Sequence, residues 1–422
     1  MRILMLSHYY APEVNAPASR TSEHSRAWAR AGHRVTVVTC APNHPRGKIY
    51  PGYRNWLFQR EVIDGVEVVR LWTLLNANEG FLLRTLSYLS FLVAATAAAP
   101  FLPRPDVIVS TSPQFFCGLA GRVLRAVKRC PWVLEIRDLW PESIVSVGAM
   151  RKGLAIRFLE ALEASAYRRA DGVVVVADSF VEHVAERRRR REAIHVIKNG
   201  VDLDLFQPGD GAEIRARFDL GDRIVAAYVG THGMAHGLDT LLDAAALLRD
   251  DPRIGFLLVG DGAERARLVE RAREMRLDNV RIVGQLPKRD MPAVWSATDV
   301  SLILLRRTET FTKVLPSKMF EAMAMARPIA LGVEGEAAAL LAEAGAGLAV
   351  EPENAPALAA AVRRLAEDAA LRARLGAAGA EHVRRHYDRA ALALRYIDVL
   401  ESAVAARRGA DGARAAVLAP RC

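Results

Sequence analysis

Short, nearly unbroken runs of β-branched and other apolar residues recur along this chain, separated by longer stretches with apolar positions at helical spacing. Runs of the first kind occupy 2–6, 34–39, 66–71, 107–110, 132–136, 172–176 and 194–197. A second series follows at 224–229, 255–259, 280–283, 300–304, 328–331 and 346–350, with helices between its members, for example over 240–248, 263–275 and 291–297. A strand reads as continuously apolar when helices cover both faces of its sheet. Strands alternating with helices in this way predict βαβ units on parallel sheets. The turn-rich stretch from Asn199 to Pro208 separates the two series. The expected architecture is therefore α/β, with two Rossmann-like doubly wound domains. These are residues 1–198, a hinge at 199–210 and residues 211–387. A helix is expected at 388–407, where the chain can cross back to the first domain, and a tail from 408 to 422 lacks periodicity and is expected to be disordered.

A length of 422 residues suits two domains rather than one core. Aromatic residues at 7% leave little material for stacking single-stranded nucleic acid. The four cysteines, Cys40, Cys117, Cys130 and Cys422, form no CxxC pair, which excludes a disulfide scaffold or zinc module and fits a reducing cytosol. Charge is distributed unevenly. Residues 1–200 carry 28 basic and 17 acidic side chains, whereas residues 201–422 carry 30 and 31. The whole net charge of +10 thus belongs to the first half, which suggests an anionic partner meeting that domain alone; solvated surface arginines account for it equally. The segment 81–102 is almost wholly apolar, but Arg84 stands in its first turn, Pro100 cuts its end, and its alanines suit packing on a sheet. This favours a helix that is buried or dips into a membrane surface over one that spans a bilayer.

In open α/β sheets, ligands bind beyond the carboxyl ends of strands, so the chemistry is sought in the strand-to-helix turns. After the strand at 224–229 comes the glycine-rich turn 230–237, with Gly230, His232, Gly233 and His236. Such a turn lets backbone amides approach an anion, although it is neither a Walker loop nor GxGxxG, and a structural role explains it as well. Asp261 and Gly262 follow the next strand, where Asp261 fits a helix cap; Gln285 follows the one after. At 314–328, Pro316 and Ser317 open a helix expected to run to Ala326, with Lys318 and Glu321 at i, i+3. A diphosphate there would meet amides and the Lys318 ammonium, and Glu321 could accept both ribose hydroxyls. A capped helix with a solvated Lys–Glu pair has the same spacing.

Taken together, the order of these motifs resembles the retaining, nucleotide-sugar-dependent glycosyltransferases of family 4, whose fold is GT-B. The resemblance runs from the 2–6 and 31–39 segments, through Asn199, Gly200, Val201 and Asp202 with Phe206 and Pro208, to 381–387. The wording of 136–142, 230–238 and 316–321 is similar to the branch that builds bacterial surface polysaccharides, including N-acetyl-L-fucosamine and colanic-acid-type transferases. The resemblance implies two domains facing across a cleft, with the nucleotide sugar on the second and the acceptor on the first. It assigns Glu321 to the second acid of an E-x7-E motif that holds the ribose, Lys318 to the donor phosphates, and Gly233 with its neighbours to the diphosphate loop. The first acid's position holds Lys313, and His232 and His236 stand where the loop's usual arginine and lysine would be. Lys313 and Lys318 would then supply the positive charge.

In the first domain the resemblance makes Asp138 a contact or base for the acceptor hydroxyl and Glu142 its helper. Pairing of Arg137 with Asp138 is the structural alternative. Ser19, Arg20, Glu23, Thr111 and Arg137 are expected near the acceptor, while His8, His24 and His44 are read as structural. Retention implies front-face attack, with the leaving diphosphate taking the acceptor's proton. No metal or other cofactor is expected, since the UDP-sugar is a substrate. The implied partners are a nucleotide-sugar donor, a polyprenyl-diphosphate-linked saccharide acceptor and an anionic membrane surface, and the expected location is the inner face of the cytoplasmic membrane. Two rivals remain: a nucleotide-sugar 2-epimerase on the same fold, and a basic nucleic-acid-binding or assembly protein built around 187–191.

Overall fold

A computed structural model describes residues 1–44, 47–75, 81–112, 114–146, 150 and 153–418; Pro113 and Cys422 fall outside this set. The chain divides into two units, residues 1–198 with 390–422, and residues 199–389. Each is built on one sheet.

The first unit has eight strands: β1 Arg2–Leu6, β2 Arg34–Cys40, β3 Phe58–Ile63, β4 Val66–Leu71, β5 Val107–Thr111, β6 Trp132–Ile136, β7 Gly172–Val175 and β8 Ile194–Val196. Their order is β3-β4-β2-β1-β5-β6-β7-β8. All pairings are parallel except β3 with β4. The pattern of apolar runs does not announce β3. It is an edge strand with charged and half-exposed positions, so it carries no unbroken apolar run. The order reverses between β1 and β5, which places the turns after both strands at the unit's switch point.

The second unit has six parallel strands: β9 Ile224–Val229, β10 Ile254–Val259, β11 Val280–Val283, β12 Val300–Leu304, β13 Ile329–Gly332 and β14 Gly347–Ala349. Their order is β11-β10-β9-β12-β13-β14, with the switch point between β9 and β12. Helices on both faces bury β10 completely, which is why its sequence shows no alternation.

The chain enters and leaves the second unit along one seam. Val201 donates to the Tyr387 carbonyl at 3.0 Å and accepts from the Arg389 amide at 3.0 Å, and the Arg389 guanidinium binds the Gly200 carbonyl. The helix Arg389–Leu418 then packs on the first sheet: Leu392, Ala393, Tyr396 and Leu400 join a core with Ile3, Met5 and Trp28. The Trp28 indole donates to the Ala393 carbonyl at 2.9 Å. Where a tail without regular structure was expected from 408, the helix continues to Leu418, because alanine and arginine are strong helix formers and 408–418 contains no proline. Residues 419–422 lie outside the described set. Among the described residues, no helix is long and apolar enough to cross a membrane.

Candidate functional site

The turns after β9 and β10 interlock. Gly230 donates to the Val259 carbonyl at 2.9 Å, His232 to the Asp261 carbonyl at 2.9 Å, and Glu264 to the His232 carbonyl at 2.9 Å. Glycine is required for this approach. A Cβ on Gly260, whose φ is +153°, would lie 1.8 Å from the Gly230 carbonyl oxygen, and one on Gly262 would lie 2.5 Å from that of His232. Gly233 differs: its φ is −114° and its nearest neighbour would be at ordinary contact distance.

Onto this turn leans Lys318, the first residue of the helix Lys318–Ala324. Its Nζ lies 3.8 Å from the centroid of the Tyr228 ring and would touch a Cβ on Gly230 at 2.7 Å. That nitrogen is buried with no hydrogen-bond partner among the described residues. Burial pushes its pKa down to about 7, with Glu321 opposing the shift. His232 and His236 stand 5.9 Å from the same tyrosine ring, centroid to centroid. Both ring nitrogens of His232, and Nδ1 of His236, are likewise buried and unpartnered. Burial, followed by the neighbouring Lys318, lowers His232 to about 4 and His236 to about 3, so both rings are neutral at pH 7. One ammonium and two imidazoles thus converge on a glycine-built turn at the switch point of the sheet. Buried polar groups without partners are costly unless a ligand satisfies them, and an oxyanion is the complement of this set.

One turn along, the half-buried Glu321 accepts a hydrogen bond from the Trp295 indole at 3.3 Å. Its carboxyl is raised by burial, while Trp295, Lys288 and Lys318 pull it back. Ser317 occupies the N-cap position but makes no side-chain cap bond, and the helix ends at Ala324 rather than Ala326, which has a left-handed φ of +52°. Pro316 accepts from the Met319 amide. Asp261 does not cap the following helix, which begins later, at Arg265; its carboxylate accepts instead from the Gly262 amide at 2.8 Å. Lys313 ends a 3-10 turn with its ammonium 4.0 Å from the Glu309 carboxylate, and Gln285 is exposed after β11. The structure thus gathers Gly230, His232, His236, Gly262 and Lys318 closely and sets Glu321 one turn away. Tyr228 and Trp295 were not singled out from the sequence, because an aromatic residue in a strand or a helix reads as core.

In the first unit, Arg20 is buried and spent on structure. Its guanidinium bonds Glu135 at 2.9 Å and the carbonyls of Ile197 and Lys198 at 2.9 and 3.0 Å. The Thr111 hydroxyl donates to the same Glu135 at 2.8 Å. Ser19 is half-buried in the helix Ala16–Arg30. Arg137 does not pair with Asp138. It bonds the Ala16 carbonyl at 3.1 Å and leaves Nε and Nη1 buried without partners, and its backbone amide donates to the Ser112 hydroxyl oxygen at 3.0 Å. Asp138 accepts from Ser143 and the Leu139 amide, and burial raises its pKa. It lines a small cavity with Phe115, Trp140 and Tyr167. Glu142 lies 3.3 Å from His183, which reaches Glu163 at 3.4 Å. His8, His24 and His44 are all lowered by burial. Among the described residues, no cluster of three or more His, Cys, Asp or Glu side chains is placed to hold a metal ion.

Residues 15–200 match the family model of a glycosyl transferase 4-like domain, and residues 211–382 match that of glycosyl transferases group 1. The chain is 28% identical over 381 residues to WcaI of Escherichia coli (strain K12), a protein whose name assigns it to glycosyl transfer in colanic acid biosynthesis; the match covers 86% of this chain and 92% of WcaI. Among solved structures, a sucrose-phosphate synthase from Thermosynechococcus elongatus superposes with a TM-score of 0.75 at 23% identity, covering 96% of this chain and 99% of its own. HepE from Anabaena, solved with UDP-glucose, gives 0.71 at 18% identity, with 95% and 100% covered. At these identities the structural likenesses establish the fold, two Rossmann-like units of the GT-B type.

Proposed function

The chain belongs to the glycosyltransferases whose halves are a 4-like and a group 1 domain, and from that premise we propose that it transfers a sugar from a UDP-sugar donor to a saccharide carried on a polyprenyl diphosphate, with retention of anomeric configuration, in the synthesis of a bacterial surface polysaccharide. The donor's sugar is of the N-acetylated amino or deoxy type. One observation carries the donor site: the buried, unpartnered Lys318 ammonium set against the 230–237 turn at the switch point of the second sheet. The likeness to WcaI supports the polysaccharide assignment.

The diphosphate lies where Lys318, the two imidazoles and the turn amides converge, and the Glu321 carboxylate takes the ribose hydroxyls. As the bond to the anomeric carbon lengthens, negative charge grows on the diphosphate. Lys318 stabilises it there more strongly than it would in water, because its nitrogen is buried and the donor is already in place. The acceptor hydroxyl attacks the same face, and its proton passes to the departing diphosphate oxygen. The protein therefore does not need a pair of carboxylates flanking the bond.

Incubating the purified protein with UDP-, GDP- and dTDP-sugars tests the donor. At a hundredfold excess over Kd, the correct UDP-sugar stabilises the native state by about 2.7 kcal/mol and raises Tm by about 5–10 °C. No shift with any UDP-sugar would overturn the donor assignment. Transfer to a synthetic polyprenyl-diphosphate saccharide, with the new linkage read by NMR, tests retention and acceptor. An epimerised nucleotide sugar formed without acceptor would replace transfer by isomerisation.

The pH dependence of donor affinity follows from Lys318. Below its pKa of about 7 the ammonium is already present in the free protein, so affinity is flat; above 7 a proton must be taken up on binding. Each pH unit then costs about 1.4 kcal/mol, a tenfold loss. His232 and His236, lowered to about 4 and 3, stay neutral throughout and add no slope. Calorimetric titration of the UDP-sugar at pH 6.0–8.5 should show this onset near 7, and a Lys318→Met variant should show a flat profile.

A further inference from the structure

The helix Phe81–Ala98 is apolar on two sides. One side, with Ser87, Phe91, Ala95 and Ala98, is buried. On the other, Leu83 at 51% exposure, Leu86 and Val93 at 66% recur at i, i+3 and i+10, a single stripe turned to solvent. Hydrogen bonds gather further exposed apolar side chains beside it. The Leu74 amide donates to the Ser90 hydroxyl at 2.9 Å, which sets the 72–75 loop, with exposed Trp72, against the stripe. Asn55 pairs with the backbone of Thr73 in both directions, at 2.8 and 3.1 Å, bringing Trp56, 56% exposed, alongside. Arg60 on β3 binds the carbonyl of Phe101, 71% exposed, just past the helix end. Single exposed apolar residues are ordinary, but a contiguous patch marks an interaction surface.

The patch is also cationic at its rim. Arg54 lies 5.5 Å over the Trp56 ring, Arg60 lies 5.3 Å over Phe58, and Lys48 and Arg104 are exposed nearby in the chain. The acids of the same hairpin are already engaged, Glu61 by Arg70, Glu67 by Thr36 and Arg60, and Asp64 by Arg26. Apolar side chains flanked by tryptophan and arginine match the interface of an anionic bilayer, where indole rings settle at headgroup depth and guanidinium groups meet lipid phosphates. A second copy of this chain would set arginine against arginine. We propose that this face docks the first unit onto an anionic phospholipid surface, with the helix lying in the interface plane. The inference builds on the lipid-linked acceptor proposed above and gives that acceptor a short route from the bilayer.

Flotation of the full chain with vesicles tests it. The protein should float with vesicles of phosphatidylcholine mixed with phosphatidylglycerol and not with phosphatidylcholine alone, and added salt should release it. A Leu86→Glu/Val93→Glu variant should stay at the bottom of the gradient, and Arg54→Glu should partition at least about fivefold more weakly. UDP-sugar thermal stabilisation of the double variant should match that of the unmodified chain, which separates failed docking from failed folding or failed donor binding. Absence of flotation, equal binding to both vesicles, or a dimer dispersed by the double variant would each overturn the proposal, the last by assigning the face to a second copy.

Discussion

Replacing Lys318 with alanine is expected to weaken UDP-sugar binding about a hundredfold or more while leaving the free protein's Tm unchanged or slightly raised. The direction of each effect follows from the environment of one nitrogen. In the free protein the ammonium is buried over the Tyr228 ring with no hydrogen-bond acceptor among the described residues, a state that costs folding free energy and pulls its pKa to about 7. Removing it relieves that cost, against the loss of some packing on Tyr228. In the donor complex the same nitrogen makes charge-assisted hydrogen bonds to a diphosphate in a low-dielectric pocket, worth about 3 kcal/mol, or roughly two orders of magnitude in affinity. Stability that does not fall when binding collapses is the mark of a group kept for its ligand rather than for its fold. Isothermal titration beside a melting curve checks both. Unchanged affinity would remove Lys318 from the donor site, and a large fall in Tm would make it structural.

The second large effect belongs to Gly260. Alanine there would place its Cβ 1.8 Å from the Gly230 carbonyl oxygen, at a φ of +153° that side chains rarely adopt. The clash is with backbone, so it cannot be relieved by a rotamer change, and the two interlocked turns must separate. A cost of about 3 kcal/mol or more is expected, lowering the Tm of the second unit by about 6–12 °C and abolishing donor binding with it. Gly233→Ala is the matched control. With its φ of −114° and its nearest neighbour, Thr231 Cγ2, at 3.4 Å, it should change stability by less than about 0.5 kcal/mol. Equal melting of the two variants would show that the turns do not depend on their close approach.

Much of the fold was legible along the chain because parallel strands buried on both faces are written as apolar runs. All thirteen runs match their observed strands to within one residue at each end. The strand that escaped, β3, pairs antiparallel at an edge and faces solvent, so no burial constrained its sequence to a continuous pattern. The last helix was expected to stop near 407, since its composition beyond that point lacks a period; intrinsic propensity, which needs no period, carries it to Leu418.

The candidate site was legible in part. Glycines after strands, a serine before a helix and a Lys–Glu pair at i, i+3 are local signals, and they named Gly230, Gly262, Ser317, Lys318 and Glu321. Whether Lys318 is solvated or buried depends on Tyr228, on a turn far away in sequence and on the absence of a side chain at Gly230, none of which local spacing contains. Arg20 and Thr111 went the other way: as polar residues beside strand ends they read as binding groups, yet both are committed to the buried Glu135.

What the amino-acid order decided by itself is thus the register of burial: which segments become strands, where the chain changes unit, and which turns carry glycine. What only the folded chain decided is the state of the charged groups, because a pKa or an ion pair depends on the field and dielectric of neighbours drawn from several elements. Lys318 and His236 stand 82 positions apart yet share one pocket, and their protonation is a property of that pocket, not of either residue.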